Sequence, residues 1–278
     1  MFLNTVILFL QEILEAALLV SVLLVLTTLF HRSWGESFRL RRRWMAYALL
    51  LGSAGAWVYA AATPTVADWF DYVGQDVLNS LLHLVSLLTL VLLTGLVPAR
   101  SIRLSAAQRA SFAVVCMTVI VLLALVREGS EIILYLGGVL GQSGNASPVL
   151  AGAAIGAGIG VSCGVFLFYS LISLSPRWSL RICVLLLALI SGNMASQIVM
   201  LLSQADWIPY TPIAWNSSAL VAESSITGHL LYAFIGYEAT PSMLQVASYV
   251  VGVLVILAGP LFRVAWSESG PSEDMAVM

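Results

Sequence analysis

Residues 111–139 read SFAVVCMTVIVLLALVREGSEIILYLGGV, an apolar run interrupted by Arg127-Glu128-Gly129-Ser130-Glu131. A run of this length predicts a membrane-crossing helix, because about 20 apolar residues rising roughly 1.5 Å each span the hydrocarbon core. Charge inside such a helix is costly. A charged side chain at the bilayer centre costs roughly 2.5–3.5 kcal/mol on insertion scales, so residues of this kind mark ion or substrate pathways. The first apolar run, residues 3–30, repeats the anomaly with Gln11-Glu12-Ile13-Leu14-Glu15. Two clusters of matching pattern point to one shared site.

The rest of the chain agrees with a membrane setting. Of 278 residues, 60% are hydrophobic and 9% charged, where a soluble domain carries about 25% charged. Mean hydropathy is +0.98. The composition predicts an all-α integral membrane protein and offers nothing for nucleic acid. The N-terminus lacks the basic start of a signal peptide and carries Glu12 and Glu15, so residues 1–30 read as a mature helix. Cys116, Cys163 and Cys183 are far apart in apolar runs, without CxxC spacing, and read as buried free thiols.

Hydrophobic runs predict seven spans, about 3–30, 44–63, 77–97, 111–139, 149–174, 180–203 and 242–262, forming one seven-helix domain over 1–262. Residues 263–278 read as a disordered tail. Arginines orient the spans: Arg32, Arg39, Arg41, Arg42 and Arg43 follow the first, and Arg100, Arg103 and Arg109 follow the third. Arg177 and Arg181 flank the fifth connection, and Arg263 follows the last span, so every arginine except Arg127 falls on one side. The positive-inside rule then puts the N-terminus outside and the C-terminus in the cytoplasm. Seven spans divide as three plus three plus one. An odd-numbered repeat inverts in the membrane, which makes the two Glu-bearing spans, first and fourth, antiparallel counterparts.

Residues three apart share a helix face, so Glu12 with Glu15, and Glu128 with Glu131, each present paired carboxylates. Ionised carboxylates are hard oxygen ligands for hard cations. The chain has no HExxH or CxxC, which disfavours zinc or a soft metal. Four ionised glutamates with Arg127 sum to −3, a charge that a trivalent ion neutralises and a divalent one leaves at −1. A purely structural role, with the glutamates pairing Arg127, leaves too much charge uncompensated. Gly129 inside the cluster permits a close backbone approach or a bend. A divalent-metal or proton-coupled carrier could use the same glutamates as proton relays.

Other features have weaker readings. Gly152, Gly156, Gly160 and Gly164 recur every four residues, the small-residue stripe of a close helix contact. The same stretch contains Gly160-Val161-Ser162-Cys163-Gly164, formally a hydrolase GxSxG, with His83 or His229 as the only partners to consider. That motif needs a strand-to-helix elbow, so packing is the better reading. Asn79 with His83, and Asn193 with Gln197, are polar pairs in spans, either helix-bridging or on the pathway. Segment 204–241, broken by Pro209 and Pro212, carries Glu223, His229, Tyr232 and Glu238 and suits a lid or vestibule, with residues 218–234 a candidate surface or re-entrant helix.

Arg127-Glu128-Gly129-Ser130-Glu131 matches the REGxE signature of the oxidase-dependent, Ftr-type iron permeases. Gln11-Glu12-Ile13-Leu14-Glu15-Ala16 resembles that family's first-span version, and Ile235-Gly236-Tyr237-Glu238-Ala239-Thr240-Pro241-Ser242 is similar to its FGYxxxPS segment. The three occur in the family's order across residues 1–262. The resemblance implies a non-enzymatic cell-membrane permease, in a plasma or bacterial inner membrane, that imports iron, usually ferric, as a transported ion rather than a resident cofactor. It also implies a ferroxidase or extracytoplasmic iron-delivery partner, and leaves a homo-oligomer open. Glu12, Glu15, Glu128 and Glu131 would hold the iron, accompanied by Arg127. The first motif departs from the pattern at Gln11, where the family commonly has arginine.

Overall fold

The computed structural model describes residues 1–34, 43–97, 105–140 and 146–266. Six long apolar helices dominate: α1 (Phe2–Trp34), α2 (Arg43–Ala67), α3 (Gly74–Leu96), α4 (Ala106–Leu140), α5 (Ala146–Ser173) and α6 (Pro176–Gln204). Each is long and apolar enough to cross a membrane. They match the first six predicted spans to within about five residues at either end, the usual fraying of such boundaries. Pro64 lies inside α2, which carries that helix four residues past the expected end.

The seventh predicted span is different. Residues 242–262 form no single helix: α8 (Met243–Leu257) stops, and α9 (Pro260–Trp266) restarts after two residues. Pro260 has no N–H for a continuing helix, and its ring would clash with the carbonyl four residues earlier, so the run breaks before it. At 15 residues, α8 rises about 22 Å, short of a hydrocarbon core of about 30 Å. The expected tail is also shorter at its start. Residues 263–266 belong to α9 because Leu261, Val264 and Ala265 are buried against the bundle. Residues 267–278 lie outside the described residues, as do most of the Arg-rich connection 31–43 and the loop containing Arg100 and Arg103.

Between α6 and α8 runs the segment foreseen as a lid. Its helix is α7 (Ile226–Ile235), capped by Ser225, whose side chain accepts from the Gly228 N–H. It is shorter than the 218–234 expected from sequence, because turns occupy residues 218–225.

Packing explains the glycine stripe. Helix α1 lies along α5, α2 along α4, α6 along α8, and α3 against α6 and α4. A side chain at Gly156 would strike the Val6 carbonyl oxygen, and one at Gly164 would come 2.7 Å from Ala17 Cβ. The α5 stripe therefore lets the α1 backbone settle directly onto it. Ser21 adds an interhelical hydrogen bond to the Gly164 carbonyl at 2.8 Å. The main apolar core joins Val22, Leu23 and Leu26 of α1 with Leu90 and Leu93 of α3, Met117 and Ile120 of α4, and Leu187 of α6. Both charged clusters lie outside that core, on the parts of α1 and α4 that precede and follow it.

Candidate metal centre

Helices α1 and α4 touch, which brings their two motifs together. Glu12, Glu128 and Glu131 each present a carboxylate oxygen, and the three oxygens lie within 4.8 Å of one another. Glu12 is 6% and Glu128 4% exposed, while Glu131 opens outward. Three convergent carboxylate oxygens with no thiol or imidazole among them make a hard-cation ligand set.

The fourth glutamate turns elsewhere. Arg127 Nη2 donates to Glu15 Oε2 at 3.1 Å and also to Glu128, while Arg127 Nη1 meets His83 Nε2 at 2.6 Å. Gln11 Nε2 donates to the other Glu15 oxygen at 3.4 Å. Gln11 and Arg127 thus face each other across one carboxylate. The six residues singled out from sequence share one site, divided into a trio that can surround an ion and a Glu15 occupied by side-chain donors.

Local sequence explains how two helices come this close with charge between them. A methyl at Gly129 would lie 2.9 Å from Ala56 Cβ, so the glycine inside the motif makes room for α2. On the other side Gly160 of α5 makes room for Ile13, with its absent Cβ 3.1 Å from Ile13 Cβ. Gly129 follows Glu128 and Ile13 follows Glu12, so each motif is backed by a close helix contact at the same register. Ser130 donates to the Arg127 carbonyl at 2.7 Å, keeping its hydroxyl satisfied within α4.

Beyond Gln11 opens a cavity of about 400 Å³ lined by Glu223, His229, Tyr232, Tyr237, Glu238 and Gln245. His229 Nδ1 lies 2.7 Å from Gln11 Oε1, so α7 contacts the site itself. The late motif is a hinge between helices. Gly236 ends α7 in the left-handed region at φ 66°, and Ser242 opens α8 with a reciprocal cap to Gln245. Between them Glu238 accepts from Gln245 at 2.7 Å and Gln197 at 3.3 Å. Burial pushes the Glu238 carboxyl above its ordinary range, the Gln245 hydrogen bond opposes this, and the Glu223 charge adds to it. On the opposite side of the cluster is a smaller cavity of about 50 Å³, lined by Glu15, His83, Ser86, Arg127, Glu128 and Asn193.

The secondary polar positions therefore divide. His83 contacts Arg127, and Gln197 contacts Glu238. Asn79 accepts from the Tyr59 hydroxyl at 2.5 Å, a bridge between α2 and α3. Sequence reasoning missed Gln245 and Tyr59; a Gln three residues after a Ser at a helix start was the available signal for the former. Ser162 donates to the Gly158 carbonyl at 2.7 Å within α5. His83 and His229 are engaged at Arg127 and Gln11, so neither partners Ser162 among the described residues.

The Iron permease FTR1 family model matches residues 2–269. The chain belongs to this family. Among its relatives is the ferrous iron permease EfeU of Shigella flexneri, 28% identical over 160 residues, which are 56% of this chain and 68% of that one. The ferrous iron permease EfeU of Escherichia coli O157:H7 is 28% identical over the same length, covering 56% of this chain and 58% of the relative. Against that second relative the match spans little more than half the protein. No solved structure matches the chain. As an FTR1 family member with six apolar helices of spanning length among the described residues, it is a multi-pass membrane protein of a permease family.

Proposed function

We propose that this protein imports iron across a plasma or bacterial inner membrane, with Glu12, Glu128 and Glu131 as the ligands and Glu15 and Arg127 as the accompanying pair. The observation that carries this is the meeting of three carboxylate oxygens, from two separate motifs, within 4.8 Å. An ion would enter by the 400 Å³ cavity and leave toward the 50 Å³ one.

An inverted three-plus-three repeat is supported by the way the helices pair. Helix α1 packs on α5 as α4 packs on α2, α3 meets α6, and α1 meets α4. Exchanging α1–α3 with α4–α6 leaves that pattern unchanged, which is what a two-fold axis in the membrane plane requires. In this reading α8 and α9 complete a broken seventh span, residues 1–262 are one permease domain, and the Arg-rich connections are cytoplasmic. Delivery by an extracytoplasmic ferroxidase or iron-handling partner supplies the ion.

Ferric iron is favoured on the condition that all four glutamates are ionised, when they and Arg127 sum to −3. The printed names of the EfeU relatives favour ferrous iron as the second reading. Radioiron uptake into proteoliposomes, offered as a ferric chelate or as ferrous iron under ascorbate, decides between them. Uptake of neither, by protein that is monodisperse and correctly inserted, would refute the iron reading.

A further inference from the structure

Arg127 is held by acceptors that a bound cation would also claim. A guanidinium only donates, so the contact at 2.6 Å is an Arg127 N–H given to a bare His83 Nε2. His83 is therefore neutral here, with its proton on Nδ1. It lies on α3 at 4% exposure, away from both motifs in sequence and fixed by the α3–α4 contact. The other two partners of Arg127 among the described residues are Glu15 and Glu128. Glu128 belongs to the trio, so a cation settling there competes directly with Arg127.

A buried guanidinium deprived of one carboxylate is strongly disfavoured unless another acceptor replaces it. The small inner cavity contains one. Asn193 of α6 lines it with His83, Arg127 and Glu128, and Asn193 Oδ1 is buried with no hydrogen-bond partner among the described residues. The α7 hinge backs this side chain: a methyl at Gly236 would come 2.5 Å from Asn193 Oδ1. A buried carbonyl oxygen left unpaired carries a penalty that a donor from Arg127 would remove.

We propose that His83 and Asn193 are positioning residues for transport: His83 retains Arg127, and Asn193 Oδ1 receives it, when Glu128 turns to the cation. The inference rests on reading the glutamate trio as the ion site. It makes Arg127 an internal stand-in for the ion, displaced to a prepared berth rather than into lipid or onto nothing. Removing an acceptor from the berth leaves Arg127 on Glu128 and Glu15, so the ion must compete harder.

The experiment is iron uptake by the full chain in proteoliposomes, with KM and maximal rate measured separately, together with direct metal binding to the purified protein. His83→Leu and Asn193→Leu should each raise KM by about tenfold or more, the scale of a hydrogen bond to a charged group, with the maximal rate near wild type. His83→Gln, which keeps an acceptor oxygen, should recover most of the loss. In an Arg127→Gln background neither leucine substitution should shift KM further, because no guanidinium then needs the berth. A merely structural role would lower the folded fraction or the maximal rate, would not be rescued by glutamine, and would persist without Arg127; that pattern overturns the proposal. Wild-type KM in both leucine variants overturns it as well. Should either fail to fold, His83→Ala and Asn193→Ala, compared with and without Arg127, supply the same test. Loss of binding in Glu128→Gln with Glu131→Gln, alongside unchanged His83 and Asn193 variants, would sink this inference and leave the ion site standing. Unchanged binding in that double variant would remove the site itself.

Discussion

Neutralising Glu131 and neutralising Glu15 should have unequal consequences, although sequence makes them equivalent i+3 partners. Three oxygens no more than 4.8 Å apart leave a point that is within about 2.8 Å of each. Glu131 is exposed, so full water screening is the conservative choice for its charge. At that dielectric one unit charge at about 2.8 Å is worth about 1.5 kcal/mol per ion charge, hence about 3 kcal/mol for a divalent ion and about 4.4 for a trivalent one. Glu131→Gln keeps an oxygen and removes only the charge. Affinity should therefore fall by about a hundredfold for ferrous and about a thousandfold for ferric iron. Glu15 is occupied by Arg127 and Gln11 and lies outside the trio. Glu15→Gln should lower affinity by about tenfold, the lower end of the scale for outer-shell groups around a metal. Equilibrium dialysis of purified protein against radioiron at fixed pH measures both. Equal losses in the two variants, or a Glu131→Gln affinity within about threefold of wild type, would show that the trio is not where the ion binds.

The remaining outcomes reach further from the site. Cysteines introduced in segment 31–43 should be shielded from an impermeant thiol reagent in intact cells, and those at 68–73 labelled; the reverse pattern overturns the orientation drawn from the arginines. Gly156→Val should destabilise by about 1–3 kcal/mol through overpacking against Val6 and Phe9, while Gly158→Ala, with nothing within 4 Å of the new methyl, should melt as wild type does. Because Glu238 lies above its ordinary value of 4.5 in the native state, the native protein holds that proton longer than the unfolded chain does. Stability should fall as pH rises from the ordinary value through the raised one, then level off, and Glu238→Gln should remove that slope in detergent melts. A slope of opposite sign would contradict the burial of Glu238.

Six spans were legible because each is a long apolar run whose length has one physical solution in a membrane. The charged cluster was legible for the converse reason: Glu12, Glu15, Arg127, Glu128 and Glu131 are the charges that such runs should exclude. What the sequence could not convey was the partition among them. Equal i+3 spacing says that Glu12 and Glu15 share a face, and nothing in it says that Arg127 will take Glu15 and leave Glu12 to the trio. That depends on how α4 packs on α2, with Ala56 against Gly129, and how α1 packs on α5, with Ile13 against Gly160, which are contacts between distant residues. The break between α8 and α9 has its sequence signal in Gly259-Pro260, which an apolar count alone does not register. His83 was noted as a polar residue in a span, but its partner required the three-dimensional pairing of α3 with α4.

Position 11 is where the two charged motifs differ, and the structure shows what Gln11 contacts there. Gln11 gives its amide N–H to Glu15 and lies 2.7 Å, through its oxygen, from His229 of α7, a helix outside the three-plus-three pattern. Gln11→Arg would place a second guanidinium on Glu15 opposite Arg127 and would leave His229 facing a donor instead of an acceptor. The summed charge of the site would move from −3 to −2 with every carboxylate ionised. Because the Coulomb term scales with ion charge, a trivalent ion should lose half again as much binding free energy as a divalent one. Competition between ferric and divalent metals, on wild type and Gln11→Arg at one pH, reads this as a shift of preference toward the divalent ion. Adding His229→Ala tests the local part of the reasoning: it should disturb ion binding by wild type and do little in the Gln11→Arg background, where the contact is already gone. An unchanged ferric-to-divalent ratio in Gln11→Arg would mean that Glu15 absorbs the new charge completely, and that the field of position 11 ends at that carboxylate.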